Sequence, residues 1–199
     1  AAEICDISDR AAVRRVVGGL GRLDVLVNNA GLELITPIME PGDEVEKTFE
    51  RIIQINVIGT YYVTREVVKS MQPGGKIVIT SSVWGKSAAA EFAGYVTSKH
   101  ANIGFMRVLA RELGPRGINV NAVCPGWVKT RAALRSLGEM SRRTGRTENQ
   151  ILEDVLGTQA LGGLMEPADV ASLYLFLASD MANNITGQAY SVDRGEILS

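Results

Sequence analysis

Apolar residues in this chain gather into short runs separated by longer amphipathic stretches. Behind Ser8, which stands where a helix cap is expected, Val13, Val16, Val17 and Leu20 recur at helical spacing. Asp24 to Val27 is a short apolar strand that ends in the turn-forming Asn28-Asn29-Ala30-Gly31. From about Asp43 a long helix turns Phe49, Ile52 and Ile53 inward. Pro73-Gly74-Gly75 makes a turn into the apolar strand Lys76 to Thr80. A further helix is predicted from about Phe92 to Leu113, stopped by Gly114-Pro115. Asn119 to Val123 reads as a strand. Pro167 opens a helix with Val170, Leu173, Tyr174 and Leu177 on one stripe, and Gln188 to Val192 is the last strand. The opening residues, Ala1 to Cys5, look like the end of a strand.

Short apolar strands alternating with amphipathic helices predict an α/β fold: a parallel sheet, doubly wound, with helices on both faces. A single domain over residues 1–199 follows, with no internal repeat or low-complexity stretch. One segment breaks the alternation. Thr130 to Gly163 is polar and carries Arg131, Arg135, Arg142, Arg143 and Arg146, with room for one or two short helices. A long excursion after the carboxyl end of a strand is where ligands of open α/β sheets are covered, although a solvated surface loop reads the same way.

Composition narrows the function classes. The chain is 46% hydrophobic and 22% charged, with 21 Lys+Arg against 22 Asp+Glu. A net charge of -1 offers no basic field for a nucleic-acid backbone. Cys5 and Cys124 stand far apart with no CxxC, and a single histidine, His100, leaves no ligand set for zinc. No apolar run is long enough to span a bilayer, and there is no charged leader with an apolar core. A soluble, reducing, cytoplasmic setting is expected.

The chemistry concentrates in Tyr95-Val96-Thr97-Ser98-Lys99, Ser82 and Asn56. Residues four apart on a helix sit one above the other, so Lys99 stands beside the Tyr95 phenol. A fixed cation there favours the phenolate and draws its pKa from ~10 toward working pH. Ser82 closes the strand Lys76 to Thr80 at the edge where sheet ligands bind. YxxxK alone is a weak motif that an exposed helix face supplies as easily. Asn56 lies on the stripe of Phe49, Ile52 and Ile53, an amide on an apolar face that needs partners. It is either a site residue or a buried asparagine satisfied by neighbouring backbone. Gly85-Lys86-Ser87 mimics the end of a phosphate loop but lacks the first glycine, Thr80 standing there. His100, one step around the helix from Lys99, reads as structural.

Taken in order, Asn28-Asn29-Ala30-Gly31 after a strand, Asn56, Ser82, Tyr95-x-x-x-Lys99 and Cys124-Pro125-Gly126 after a strand resemble the short-chain dehydrogenase/reductase family over nearly the whole chain. The local flavour is similar to bacterial 3-hydroxybutyrate dehydrogenases and 3-oxoacyl reductases. The resemblance implies a Rossmann-like fold and an NAD(P)-dependent oxidoreductase that interconverts a secondary alcohol and a ketone, with NAD or NADP as cofactor. It makes Tyr95 the general acid/base, Lys99 its modulator and a ribose ligand, and Ser82 the group orienting the substrate oxygen. Asn56 would hold a water linking Lys99 to solvent. Cofactor contacts would come from Asp6 and Ile7, from Asn29, Ala30 and Gly31, and from Tyr95 and Lys99. Pro125, Gly126, Val128 and Thr130 would complete them. Substrate would meet Ser82, Trp84, Glu33 and Trp127 beneath a lid of about residues 130–163.

The sequence departs from the family pattern at two places. The glycine-rich first turn, with the first βαβα unit around it and the residue that selects NAD or NADP, has no counterpart here. One edge of the strand Asp24 to Val27 is therefore expected to lack a partner. Arg194 stands in Val192-Asp193-Arg194-Gly195 where glycine is more usual. A small-molecule alcohol or ketone is the expected partner, with no nucleic acid and no membrane. Glu33 opposes a substrate carboxylate, so the substrate is read as neutral and fairly apolar unless Arg131 or Arg135 intervenes. The helices around Tyr61–Met71 and Ala101–Leu113, and the segment Leu173–Leu177 with the last strand, resemble the family's interfaces and imply a homo-oligomer, a tetramer. The alternative is a non-catalytic family member that serves only as an assembly subunit.

Overall fold

The computed structural model describes residues 2–198. Four strands, β1 (Val25–Asn28), β2 (Lys76–Thr80), β3 (Asn119–Pro125) and β4 (Ala189–Val192), form one parallel sheet in the order β1-β2-β3-β4. Lys76 pairs with Val25 and Asn119, and Val123 with Tyr190, which aligns the carboxyl ends of the strands along one edge.

Alternation along each strand divides the core. Ile77 and Ile79 of β2, and Val120, Ala122 and Cys124 of β3, pack against Val67 and Met71 and against Ile103, Met106, Leu109 and Leu113 of α4 (Ala93–Leu113). Val78 and Val123 point to the opposite face and meet Val170 and Leu177 of α7 (Pro167–Leu177). Helices on both faces make the sheet doubly wound, as the strand–helix alternation predicts. The excursion after β3 forms α5 (Arg131–Thr144) and α6 (Glu148–Gly157), which close a small core of Trp127, Leu137 and Ile151.

The N-terminal part corrects two expectations. Asp9, not Ser8, caps α1 (Arg10–Gly18): its carboxylate accepts from Ala11 N and Ala12 N at 2.8 and 3.2 Å. A carboxylate there also meets the positive end of the helix. Ser8 instead donates its hydroxyl to Asp6 at 2.7 Å. Residues 2–5 form no strand, and Ala1 lies outside the described residues. β1 is the edge strand, these residues do not pair with it, and Ile4 is 99% exposed. Val25 and Val27 at the same edge are 41% and 43% exposed, a large solvent share for apolar strand residues.

The long helix from Asp43 is not one regular element. α2 (Asp43–Ile53) passes through a π-helical turn, Gln54–Gly59, into α3 (Thr60–Val67). Such wide turns insert a residue and re-aim side chains, often at functional sites. Here the turn carries Asn56. No helix among the described residues is long and apolar enough to cross a membrane.

Candidate active site

The carboxyl ends of β1, β2 and β3 open into a cavity of roughly 800 Å³, within the ~300–1,000 Å³ common for small-molecule sites. Each element contributes for a local reason. α4 begins one residue after Phe92, so its first two turns place Tyr95 and Lys99 beside the end of β2. The backbone after β2 turns at once, with the Ser82 hydroxyl accepting from Trp84 N at 3.2 Å. Gly85 is needed there because a Cβ would strike Ser81 Oγ and come within 2.9 Å of the Lys99 carbonyl. The apparent phosphate-loop residues Gly85-Lys86-Ser87 are thus a packing turn.

Lys99 is buried, and its ammonium donates to Thr80 O at 2.9 Å while standing 5.2 Å from the Tyr95 ring centre. Burial pushes it down to about 8, with Cys124 and Glu33 acting in the opposite sense. The Tyr95 phenol moves the other way. Burial drives it well above its ordinary value, the Glu33 carboxyl adds to this, and only the Ser82 hydroxyl favours the phenolate. The expectation of a phenol lowered by Lys99 is therefore corrected: desolvation outweighs a cation that faces the ring and is itself desolvated.

Asn56 is buried, and its amide makes three hydrogen bonds. Its Oδ1 accepts from Leu32 N at 2.7 Å, and Nδ2 donates to Leu32 O at 2.8 Å and to Ser98 Oγ at 2.9 Å. Of its two sequence readings, the bonding is that of an amide satisfied by neighbouring backbone. That bonding fixes Leu32, whose neighbours Gly31 and Glu33 line the cavity.

Most of the expected residues meet at this one cavity: Asn29, Gly31, Glu33, Ser82, Trp84, Tyr95, Lys99, Pro125, Gly126, Trp127, Val128 and Thr130 all line it. Ala30 and Asn56 stand behind the lining, and Asp6 and Ile7 lie away from it. Ile7 packs on Gly59, where a Cβ would come within 2.8 Å of it. Asp6 is exposed and held below the usual carboxylate range by the Ser8 hydroxyl and backbone. Trp84 and Trp127 meet edge to face, 6.3 Å between ring centres. His100 remains exposed, bonded to Val96 O at 3.0 Å.

Sequence reading missed Tyr174, which lines the cavity from α7 and bonds the Thr80 hydroxyl at 2.7 Å. The available signal was a tyrosine on an apolar stripe, whose hydroxyl needs a partner when buried. It also missed Ser98, which bridges Asn56 and the Tyr95 carbonyl (2.8 Å). Arg194 acquires an account. It adopts a left-handed backbone, φ 55°, and its guanidinium donates to Gly162 O at 2.8 Å, tying the chain end to the lid. The lid is also held by Arg143, which bridges Glu40 at 2.7 Å and Glu91 at 3.2 Å.

A nicotinamide dinucleotide, the cofactor that the resemblance implies, suits this donor set. Lys99 spends one of its N–H groups on Thr80 O and keeps two for a ribose. Thr130 Oγ1 accepts from Ala133 N at 3.2 Å to cap α5, which leaves its own O–H free to donate. Gly31 has no side chain to intervene: a Cβ there would lie 3.7 Å from Lys99 Nζ.

A family model described as enoyl-(acyl carrier protein) reductase matches residues 2–196. The diacetyl reductase of Staphylococcus epidermidis is 36% identical over 188 residues, covering 92% of this chain and 72% of that protein. The D-beta-hydroxybutyrate dehydrogenase of Cupriavidus necator is 31% identical over 198 residues, 98% of this chain and 74% of its own length. Among solved structures, a point variant of actinorhodin polyketide ketoreductase, determined with NADPH, superposes with a TM-score of 0.85 at 32% identity, covering 98% of this chain and 76% of that one. The parallel sheet, the helix-borne Tyr95–Lys99 pair and these matches agree, and the chain belongs to the short-chain dehydrogenase/reductase family.

Proposed function

We propose that the protein is an NAD(P)-dependent oxidoreductase that interconverts a secondary alcohol and a ketone, with Tyr95 as general acid/base. The observation that carries this is the meeting of the Tyr95 phenol, the Ser82 hydroxyl and the Lys99 ammonium in one cavity. When bound, the nicotinamide supplies or accepts the hydride. Ser82 holds the substrate oxygen, and Tyr95 gives it a proton as a carbonyl is reduced, or takes one as an alcohol is oxidised. A phenol kept protonated by burial suits the role of donor. Lys99 and Thr130, with Asn29, Ala30, Gly31, Pro125, Gly126 and Val128, hold the cofactor; Asp6 and Ile7 are assigned its far end. Substrate lies between Ser82, Trp84, Trp127 and Glu33 under the lid of α5 and α6.

The substrate is neutral and largely apolar. Among the described residues, Glu33 and Lys99 are the only charged ones in the cavity lining, and Lys99 is committed to Thr80 O and to the cofactor ribose. Arg135, considered above as a rescuer of an anion, donates to the Glu33 carbonyl oxygen. The protein works as a homo-oligomer, a tetramer, and static light scattering that returns a monomer mass overturns this assignment. In the protein at its full natural length, Tyr95→Phe should lose ~10²–10⁴-fold in turnover while binding NAD(P) nearly as before. Retention of more than about a tenth of the rate, against that range, sinks the assignment.

A further inference from the structure

Glu33 has the features of a ligand-facing group. Its backbone is held from both sides: Leu32 by the Asn56 amide at 2.7 and 2.8 Å, and Thr36 by its N–H donating to Glu91 O at 2.6 Å and its hydroxyl accepting from Gly94 N at 2.9 Å. Its carbonyl takes the Arg135 guanidinium from α5. The side chain is half-buried and lines the cavity that holds Tyr95 and Ser82. Its carboxylate enters none of the ion pairs among the described residues. Burial raises the Glu33 carboxyl above its ordinary value, while the buried Ser136 hydroxyl, Arg135 and Lys99 favour its charged form. A carboxylate has about four acceptor sites and no donor, and the Glu33 carboxylate brings that capacity to the cavity it lines.

We propose that Glu33 sets the substrate class: the site takes a neutral substrate with a second hydroxyl, a vicinal diol or hydroxyketone, which donates to the Glu33 carboxylate. The inference rests on the oxidoreductase reading above. The lining that Glu33 shares with Trp84, Trp127, Ala132 and Ala133 has, among the described residues, its carboxylate as the one anionic acceptor. A carboxylate substrate meets Glu33 as a like charge, and a substrate cation meets the Lys99 ammonium in the same cavity. A neutral hydroxyl satisfies Glu33 without either conflict. Because the backbone on both sides of Glu33 is already bonded, little ordering is left to be done on binding. A hydrogen bond to a charged acceptor distinguishes a ligand from its deoxy analogue by about 10- to 100-fold.

The test compares cis-cyclohexane-1,2-diol, cyclohexanol, 3-hydroxybutyrate and 2-aminocyclohexanol in the full-length protein, its Glu33→Gln and its Glu33→Leu variants. Two readouts are taken: kcat/KM with NAD and NADP, and affinity from quenching of Trp84 and Trp127 fluorescence. The wild type should favour the diol over cyclohexanol by about 10- to 100-fold. Glu33→Leu should bring that ratio close to one. Glu33→Gln, the isostere that tests the outcome if the leucine variant misfolds, should keep part of the preference and improve 3-hydroxybutyrate relative to the diol. A wild-type ratio near one, an unchanged ratio in Glu33→Leu, or a preference for the amino alcohol overturns the proposal. If the wild type turns over none of the four, the oxidoreductase reading fails, and the fluorescence affinities still decide the role of Glu33.

Discussion

Replacing Asn56 by alanine severs three hydrogen bonds at once, those with Leu32 N, Leu32 O and Ser98 Oγ. At a net ~0.5–1.5 kcal/mol each, the loss is about 1.5–4.5 kcal/mol, and more if the Leu32 groups stay buried without water. For a chain of 199 residues, each kcal/mol moves Tm by ~2–4 °C, so Tm should fall by roughly 3–18 °C. Ser98→Ala removes one of the three bonds together with its own bond to the Tyr95 carbonyl, and should cost about two thirds as much. In the double variant the Ser98 change should add only the loss of its Tyr95 carbonyl bond, because its amide partner is already gone, and the double-mutant cycle should show coupling of ~0.5–1.5 kcal/mol. The measurements are thermal melts and amide hydrogen exchange at Leu32 in the protein at its full natural length. Protection of the Leu32 amide should drop in Asn56→Ala and persist in Ser98→Ala. An Asn56→Ala variant with a protected Leu32 amide and an unchanged melt would refute the view that this amide fixes the cavity wall.

Other outcomes follow from single observations. Arg194→Ala keeps the left-handed backbone and loses the Gly162 tether; it should be less stable than Arg194→Gly by ~1–2 kcal/mol, the usual penalty for a side chain there, and equal melts would dismiss the strain. In ketone reduction, the rate should decline as pH rises through about 8, where the Lys99 ammonium loses its proton. Glu33 favours the charged Lys99 and the protonated Tyr95, so Glu33→Gln should move that alkaline limb to lower pH, and a shift upward in the pH–rate profile contradicts the sign. A polypeptide of these 199 residues alone presents Val25 and Val27 at an open sheet edge. It should self-associate and bind NAD(P) weakly; a monodisperse sample with a sharp melt and micromolar cofactor affinity overturns that expectation.

The elements and the site were legible in the sequence to different depths. Strand positions held to within a residue or two because short apolar runs bounded by turns have few other uses. Tyr95 and Lys99 meet because helical geometry places i and i+4 together whatever surrounds them, and the positions of Asn29, Gly31 and Ser82 after apolar strands put them at the sheet's carboxyl edge. The capping residue, the π-helical turn at Gln54–Gly59 and the missing strand at residues 2–5 were not legible. Each depends on which of two near-equal local choices a neighbour rewards, as when Asp9 displaces Ser8 as the cap.

Local spacing thus determined the α/β class and the Tyr95–Lys99 pair, since both rest on interactions within a few residues. Only the tertiary structure decided the electrostatics and the rest of the wall. The high pKa of Tyr95 and the low one of Lys99 come from desolvation by chain segments distant in sequence. Tyr174 reaches the cavity only because α7 packs across the opposite face of the sheet and bonds Thr80. Asn56 acquires its partners across 24 and 42 residues. Burial and long-range hydrogen bonding belong to the assembled core, and no window of sequence contains them.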